Sequence, residues 1–283
     1  MQSSAEDSES TTHEATRKQK GRRLPSDRPF YIGLGVLGGF YVFMILAMLL
    51  ANASYANQSN FVKALASEEI RYSIILSLVS CSITAVISLW VAVPIGYVLS
   101  RYDFRFKRFV DAIIDIPIVM PPLVIGLSLL ILFQTPLFQL VEKVIPVTYE
   151  IPGVILAQFM VACAFAVRTV RVTFDQISPR CEQVALTLGC TRAQSFWLVV
   201  LPEAFKGVIA AATIAWARSL GEFGPLLIFA GATRMRTEVM PTTIFLELSV
   251  GNIELAVVVS LLMILVAVIV LILTRSLGLN IRT

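Results

Sequence analysis

Histidine is nearly absent from this 283-residue chain: His13, in the polar N-terminal stretch, is the only one. A Ser-His-Asp relay or a multi-histidine metal centre has nothing to build on. The four cysteines, Cys81, Cys163, Cys181 and Cys190, include no C-x-x-C pair, which leaves neither a zinc site nor a disulfide framework. Charge is also scarce, at 15% of residues, where soluble domains carry about 25%. No G-x4-G-K-S/T run occurs, so the sequence offers no loop to cradle the phosphates of a nucleotide. With few paired carboxylates as well, a membrane enzyme is set aside, and no catalytic residue, metal ligand or resident cofactor is expected.

What the chain has instead is oil: 57% of its residues are hydrophobic, gathered in long runs. Crossing a hydrocarbon core of about 30 Å takes about 20 apolar residues in a helix. Six stretches qualify, at about 29–52, 73–99, 109–133, 152–171, 207–231 and 253–274. The first is too long for a signal-peptide core and ends in no clear small-x-small cleavage site, so it reads as a retained span. Residues 1–28, rich in Ser, Thr, Glu, Lys and Arg, read as a disordered cytoplasmic leader. The expected fold is all-α, a polytopic membrane protein of six transmembrane helices occupying 29–283.

The net charge of +4 does not point to nucleic acid, because the basic residues are divided among short loops rather than forming one patch. Their distribution orients the chain. With the N-terminus inside, cytoplasmic segments hold 17 Lys and Arg against 5 in the outer loops, with Arg218 within a span. By the positive-inside rule both termini face the cytoplasm. The longest cytoplasmic loop is then 178–206, and on the outer side 61–71 has the makings of a short interfacial helix.

That loop contains the half-polar stretch EQVALTLGCTRAQSFWLVVLPEAF, residues 182–205. Residues 181–188 read as one helical run, interrupted at Gly189. Thr191 is a candidate N-cap for a second run, in which Phe196, Val199 and Val200 form an apolar stripe at i, i+3, i+4. Pro202 follows, and Lys206 marks the return to the membrane. Two readings fit: a helical hairpin that docks into a groove on a partner, or a plain connection between spans.

Gln183, Val184, Ala185 and Gly189, then nine residues, then Val199, Leu201 and Pro202 resemble the E-A-A-x3-G-x9-I-x-L-P loop of binding-protein-dependent ABC importer permeases. The match departs at Gln183 and Val184, and Glu182 stands one position upstream. The resemblance implies a type I importer permease fold. It also implies that the loop is a coupling helix seated on a cytoplasmic ATPase subunit, which would carry the ATP and Mg. Two ATPase subunits would swing two permease subunits between inward- and outward-facing states. One chain carries one such loop, so a homodimer is expected.

Two further stretches lie in the spans. In DIPIVMPPLVIG (115–126), Pro117, Pro121, Pro122 and Gly126 must kink or unwind the helix. The kink either serves packing or lines a pathway. Asp111 and Asp115, at the cytoplasmic end, are expected to face Lys107 or Arg108. In ARSLGEFGPLLIFAG (217–231), Arg218 and Glu222 are four apart and share a helical face near mid-membrane. They form either a structural pair or, through Arg218, a station for an anion. Gly221, Gly224 and Pro225 beside them suit close helix approach or a local break near a gate, and Ser219 is a further candidate there.

RSLGEFG together with GATRMRTEVMPTTIFLELSVGN resembles the molybdate/tungstate branch of the same permeases, with sulfate nearby, and the likeness covers about 60–275. It implies a tetrahedral oxyanion handed over by an extracytoplasmic binding protein. Arg234 and Arg236 would then favour anion delivery or a salt bridge to that protein. The alternatives are a sulfate/thiosulfate permease or an ion-gradient-driven secondary transporter. The last would be favoured by an inverted repeat, and none is convincing here.

Overall fold

A computed structural model describes residues 28–55 and 58–280. The expected leader lies outside the described residues. Two compact units divide the chain, at residue 51. Among its described residues, the first holds most of one long apolar helix, α1 (Arg28–Tyr55). Its four glycines would weaken a helix in water, but membrane helices tolerate them.

The second unit is helical throughout, with no strand among the described residues. It runs α2 (Gln58–Ala66), α3 (Glu68–Arg101), α4 (Lys107–Val119), α5 (Pro122–Phe133), α6 (Pro136–Val144), α7 (Ile151–Gln176) and α8 (Pro179–Thr187). Then come α9 (Arg192–Leu220), a single wide turn (Leu226–Ala230), α10 (Met240–Ser249) and α11 (Ile253–Asn280). Among the described residues, five helices are long and apolar enough to cross a membrane, and the α4–α5 pair makes a sixth crossing if counted together.

Its centre is a three-helix pack of α3, α7 and α9, filled by small residues such as Ala92, Ala162, Ala166, Ala211 and Ala215. Lipid tails are as apolar as leucine, so close backbone approach must supply the attraction. Two glycines mark where that approach is tightest. A Cβ on Gly96 would stand 2.9 Å from Val170 Cγ1, and one on Gly207 would stand 2.1 Å from Thr173 Cγ2.

α3 also buries a row of hydroxyls, Ser73, Ser77, Ser80, Thr84 and Ser88. Without water each needs a partner, and of this row only the Ser88 hydroxyl has none. Ser73 donates to its own helix at Ile70 (2.9 Å), Thr84 donates to Gln158 of α7 (3.1 Å), and Ser77 accepts from the Met240 amide (2.8 Å). A second apolar cluster joins α5, the N-terminal half of α7 and the wide turn, with Phe133 and Phe229 edge to face at 5.2 Å.

Two expected spans differ in form. Residues 109–133 are two helices meeting at 112° rather than one kinked span. Met120 and Pro121 are extended between them (ψ 138° and 134°), and Pro122 opens α5 at a position that needs no amide hydrogen. The expected span 207–231 begins its helix much earlier, at Arg192, and ends it at Leu220. Pro202 does not stop that helix. Residues 196–200 form a π-turn in which the Leu201 amide reaches back to the Phe196 carbonyl, and this wider turn accommodates the proline ring.

Candidate functional site: an anchored loop and two facing helix breaks

The 178–206 stretch is a short helix, a tight turn and the start of a long helix. The Ser178 hydroxyl caps α8 by accepting from the Arg180 amide (3.4 Å), with Pro179 at the first position. α8 ends at Thr187, and Gly189 turns the chain at φ +91°, with open space around it. A residue with a Cβ adopts that conformation only under strain. Thr191 then caps α9 in a reciprocal box. Its amide donates to Gln194 Oε1 (2.8 Å), and the Gln194 amide donates to the Thr191 hydroxyl (3.3 Å).

Of the loop residues, Gln183, Val184, Gly189 and Pro202 are exposed, Val199 and Leu201 are half-buried and Ala185 is buried. The stripe of Phe196, Val199 and Val200 does not face outward. Val200 is buried in the three-helix core, and Phe196 packs against Tyr97 (4.8 Å) and Phe174 (6.3 Å). The outward apolar side chains are Val184, Leu188, Trp197 and Leu198, each more than half exposed.

Glu182 is also turned inward. Its Oε1 accepts from the Tyr97 hydroxyl (2.5 Å), and its Oε2 lies 3.5 Å from Arg101 Nε. Sequence spacing gives no sign of these two partners, more than 80 residues upstream.

The second part of the site lies where α4–α5 and α9 break. A Cβ on Gly224 would stand 2.9 Å from Pro122 Cβ, and one on Gly126 would stand 2.9 Å from the Pro225 backbone. The two proline-glycine breaks are thus packed against each other. Beside them Arg218 Nη2 donates to Glu222 Oε1 (2.7 Å), across the end of α9. Glu222 is buried, and the guanidinium also covers the Phe165 ring at 4.8 Å. Arg218 Nε is buried without a hydrogen-bond partner. Ser219 spends its hydroxyl on the Ala215 carbonyl (2.8 Å), and Gly221 is exposed just past the helix end. Pro117 lies apart, lining an apolar cavity of about 270 Å³ with Ile125, Leu129 and Met160, while Pro121 is exposed.

Asp111 and Asp115 do not face Lys107 or Arg108. They reach across to α7, Asp111 to Arg171 (2.5 Å) and Asp115 to Arg168 (3.4 Å), while Lys107 pairs with Asp103 (2.8 Å). Helical spacing favours a local partner, but α4 presents these carboxylates to the basic turn of α7. Arg234 and Arg236 are likewise engaged within the chain. Arg234 bridges Glu69 and Glu247, the latter at 2.9 Å, and Arg236 pairs with Glu150.

Long apolar helices packed through small residues, with a helix-turn-helix loop at one end, define a multi-pass membrane protein. The sequence pattern of the family described as "binding-protein-dependent transport system inner membrane component" matches residues 92–283, and the chain belongs to that family.

Among its relatives is the molybdate/tungstate transport system permease protein WtpB of Pyrococcus abyssi, 40% identical over 154 residues. That match covers 54% of this chain and 58% of the relative's length. The sulfate transport system permease protein CysT of Escherichia coli is 33% identical over 206 residues, covering 72% and 73%. The molybdenum transport system permease protein ModB of Mycobacterium tuberculosis is 30% identical over 262 residues, covering 92% and 96%.

The fold matches a chain of a bacterial alginate ABC transporter solved with an alginate-bound periplasmic protein, with a TM-score of 0.72 and 17% identity over 90% of this chain and 95% of that one. It also matches a chain of the MetNI methionine ABC transporter, with a TM-score of 0.61 and 18% identity over 77% and 100%.

Proposed function

We propose that the chain is the permease subunit of an ATP-driven importer of a tetrahedral oxyanion, molybdate or tungstate, in a prokaryotic plasma membrane. The observation that carries this reading is the 178–206 loop: a capped helix-turn-helix with four exposed apolar side chains, set at the end of the three-helix core. It suits docking into a groove of a cytoplasmic ATPase subunit, which supplies the ATP and Mg site that this sequence lacks. The excess of Lys and Arg on that side favours the same orientation, with both termini cytoplasmic.

The rest of the cycle follows from this placement. Two copies of the chain flank the path, beside two ATPase subunits. An extracytoplasmic binding protein delivers the anion to the outer face and does most of the selecting. ATP-driven closure moves the loop, and with it α3, α7 and α9. The contacts of Pro122 with Gly224 and of Gly126 with Pro225 adjoin the places where the backbone leaves regular helix, Met120–Pro121 and Gly221–Phe223, within stretches read as spans. Such a departure suits a path or gate, because it is tolerated only where protein or a watery cavity surrounds it. Arg218 there offers positive charge to a passing anion, and Glu222 holds it in place between passages. Sulfate is the second substrate reading, favoured by the 33% identical sulfate permease.

The test is labelled molybdate uptake by cells holding the chain with its ATPase and binding protein. We expect uptake to require ATP, to be lost in Gly189→Pro at normal membrane levels, and to be blocked by excess tungstate but not sulfate. Equal competition by sulfate moves the substrate to sulfate. Normal uptake by Gly189→Pro overturns the coupling role of the loop.

A further inference from the structure

We infer that Tyr97 and Arg101, at the end of α3, are positioning residues that transmit movement of the loop into the membrane core through Glu182. This inference rests on the coupling role proposed for the loop.

The reason lies in how little else holds α8. It has nine residues, too few for a stable helix on its own. Ala185 is its one buried residue. Its covalent connections are a turn at Ile177–Ser178 and the Gly189 turn, which has open space around it. A force applied to the exposed Val184 and Leu188 would be absorbed by those turns unless a stiffer link exists.

The Glu182 carboxylate provides that link. Its two oxygens face different partners on α3, Tyr97 by a hydrogen bond and Arg101 by an ion pair, and it is 13% exposed against 8% for Arg101. A carboxylate buried this far needs both partners, because losing one leaves charge without compensation.

Each partner reaches further. Arg101 Nη2 donates to the Ile177 carbonyl (2.9 Å), so one guanidinium grips both limbs of the elbow between α7 and α8. The Tyr97 ring packs edge-on against Phe174 of α7 (5.6 Å) and Phe196 of α9 (4.8 Å). Arg192, the first residue of α9, donates to the Tyr102 hydroxyl just beyond α3 (3.2 Å). The loop is thereby fastened to all three core helices at one point, and α3 receives the push along its axis.

The test uses the full transporter, with its ATPase and binding protein, in lipid vesicles. It reads molybdate transported per ATP hydrolysed. Tyr97→Phe keeps the ring and deletes one hydroxyl; Glu182→Gln keeps the shape and deletes the charge. We expect each to lower transport per ATP by at least about tenfold, the size set by one hydrogen bond to a charged group, while the ATPase still assembles and hydrolyses. The double variant should lose less than the two single losses combined, since both weaken the same Tyr97–Glu182 contact. Unchanged transport per ATP in assembled Tyr97→Phe complexes overturns the inference. So does a proportional loss of assembly, hydrolysis and transport together, which marks a merely structural contact. Gly189→Pro runs alongside. If it uncouples while Tyr97→Phe does not, only the latch fails; if neither uncouples, the coupling role of the loop fails with it.

Discussion

At the scale of single residues, the tightest constraints are places where nothing but hydrogen fits. Gly224 and Gly126 let the two helix breaks touch, and a Cβ at either would meet proline atoms at 2.9 Å. Gly224→Val should cost about 1–3 kcal/mol through overpacking, seen as a lower unfolding midpoint of the detergent-solubilised protein. Gly189 is constrained by conformation instead. With open space around it, Gly189→Ala should cost only the strain of the left-handed region, about 1–2 kcal/mol.

Glu238, in the loop before α10, is a different case. It is fully buried and neither carboxylate oxygen has a hydrogen-bond partner. The neighbouring Thr243 hydroxyl donates to the Val239 carbonyl rather than to it. Burial raises its pKa above the usual carboxylate range, against the pull of Arg234. A raised folded-state pKa means that the folded protein binds this proton more tightly, so stability falls as pH climbs from about 4.5 through the raised value. Glu238→Gln should therefore stabilise the protein at neutral pH and above, with the difference vanishing towards pH 4.5. Relief of about 1 kcal/mol raises the midpoint by about 2–4 °C in a chain of this size.

Residue pairing was legible only when it was local. The four-residue spacing of Arg218 and Glu222 permits the pair that forms. No spacing announces Tyr97 or Arg101 as partners of Glu182, because tertiary packing alone brings them together.

At the scale of elements, local chemistry wrote clear signals into the sequence. Thr191 is the N-cap of α9, as its position before the second run suggests. Thr191→Ala should cost about 1 kcal/mol of local stability, so amide exchange in the first turn of α9 should quicken about fivefold. The run of Pro121 and Pro122 foretold a break, but the prolines alone do not give its 112° angle. The π-turn at 196–200 left no such mark. Its five residues, FWLVV, read as ordinary apolar helix, and only the following proline hints that a wider turn is favourable. Deleting one residue of this turn should restore a regular helix and rotate everything before it by about 100°. Membrane insertion should survive, while transport is lost.

At the scale of the whole molecule, membrane spans were the most legible feature, since the hydrocarbon core demands long apolar runs whatever their packing. Sidedness is open to a direct measurement. Cys181 is exposed at the loop, whereas Cys81 is buried. In vesicles that lack the ATPase, an impermeant thiol reagent should modify Cys181 from the cytoplasmic face only, and Cys181→Ser should abolish most of that labelling. Protection of Cys181 in inside-out vesicles would reverse the orientation.

α3 has 34 residues, which makes it about 51 Å long. The slab of oil it crosses is about 30 Å thick, and a helix that overshoots its bilayer tilts to fit. Its first turn is tied by Glu69 to Arg234, and its last by Arg101 to Glu182. A change of tilt therefore pulls on both ties together. Lipid thickness becomes an input to the machine: turnover in vesicles should pass through an optimum as acyl chains lengthen, and cutting either tie should flatten it.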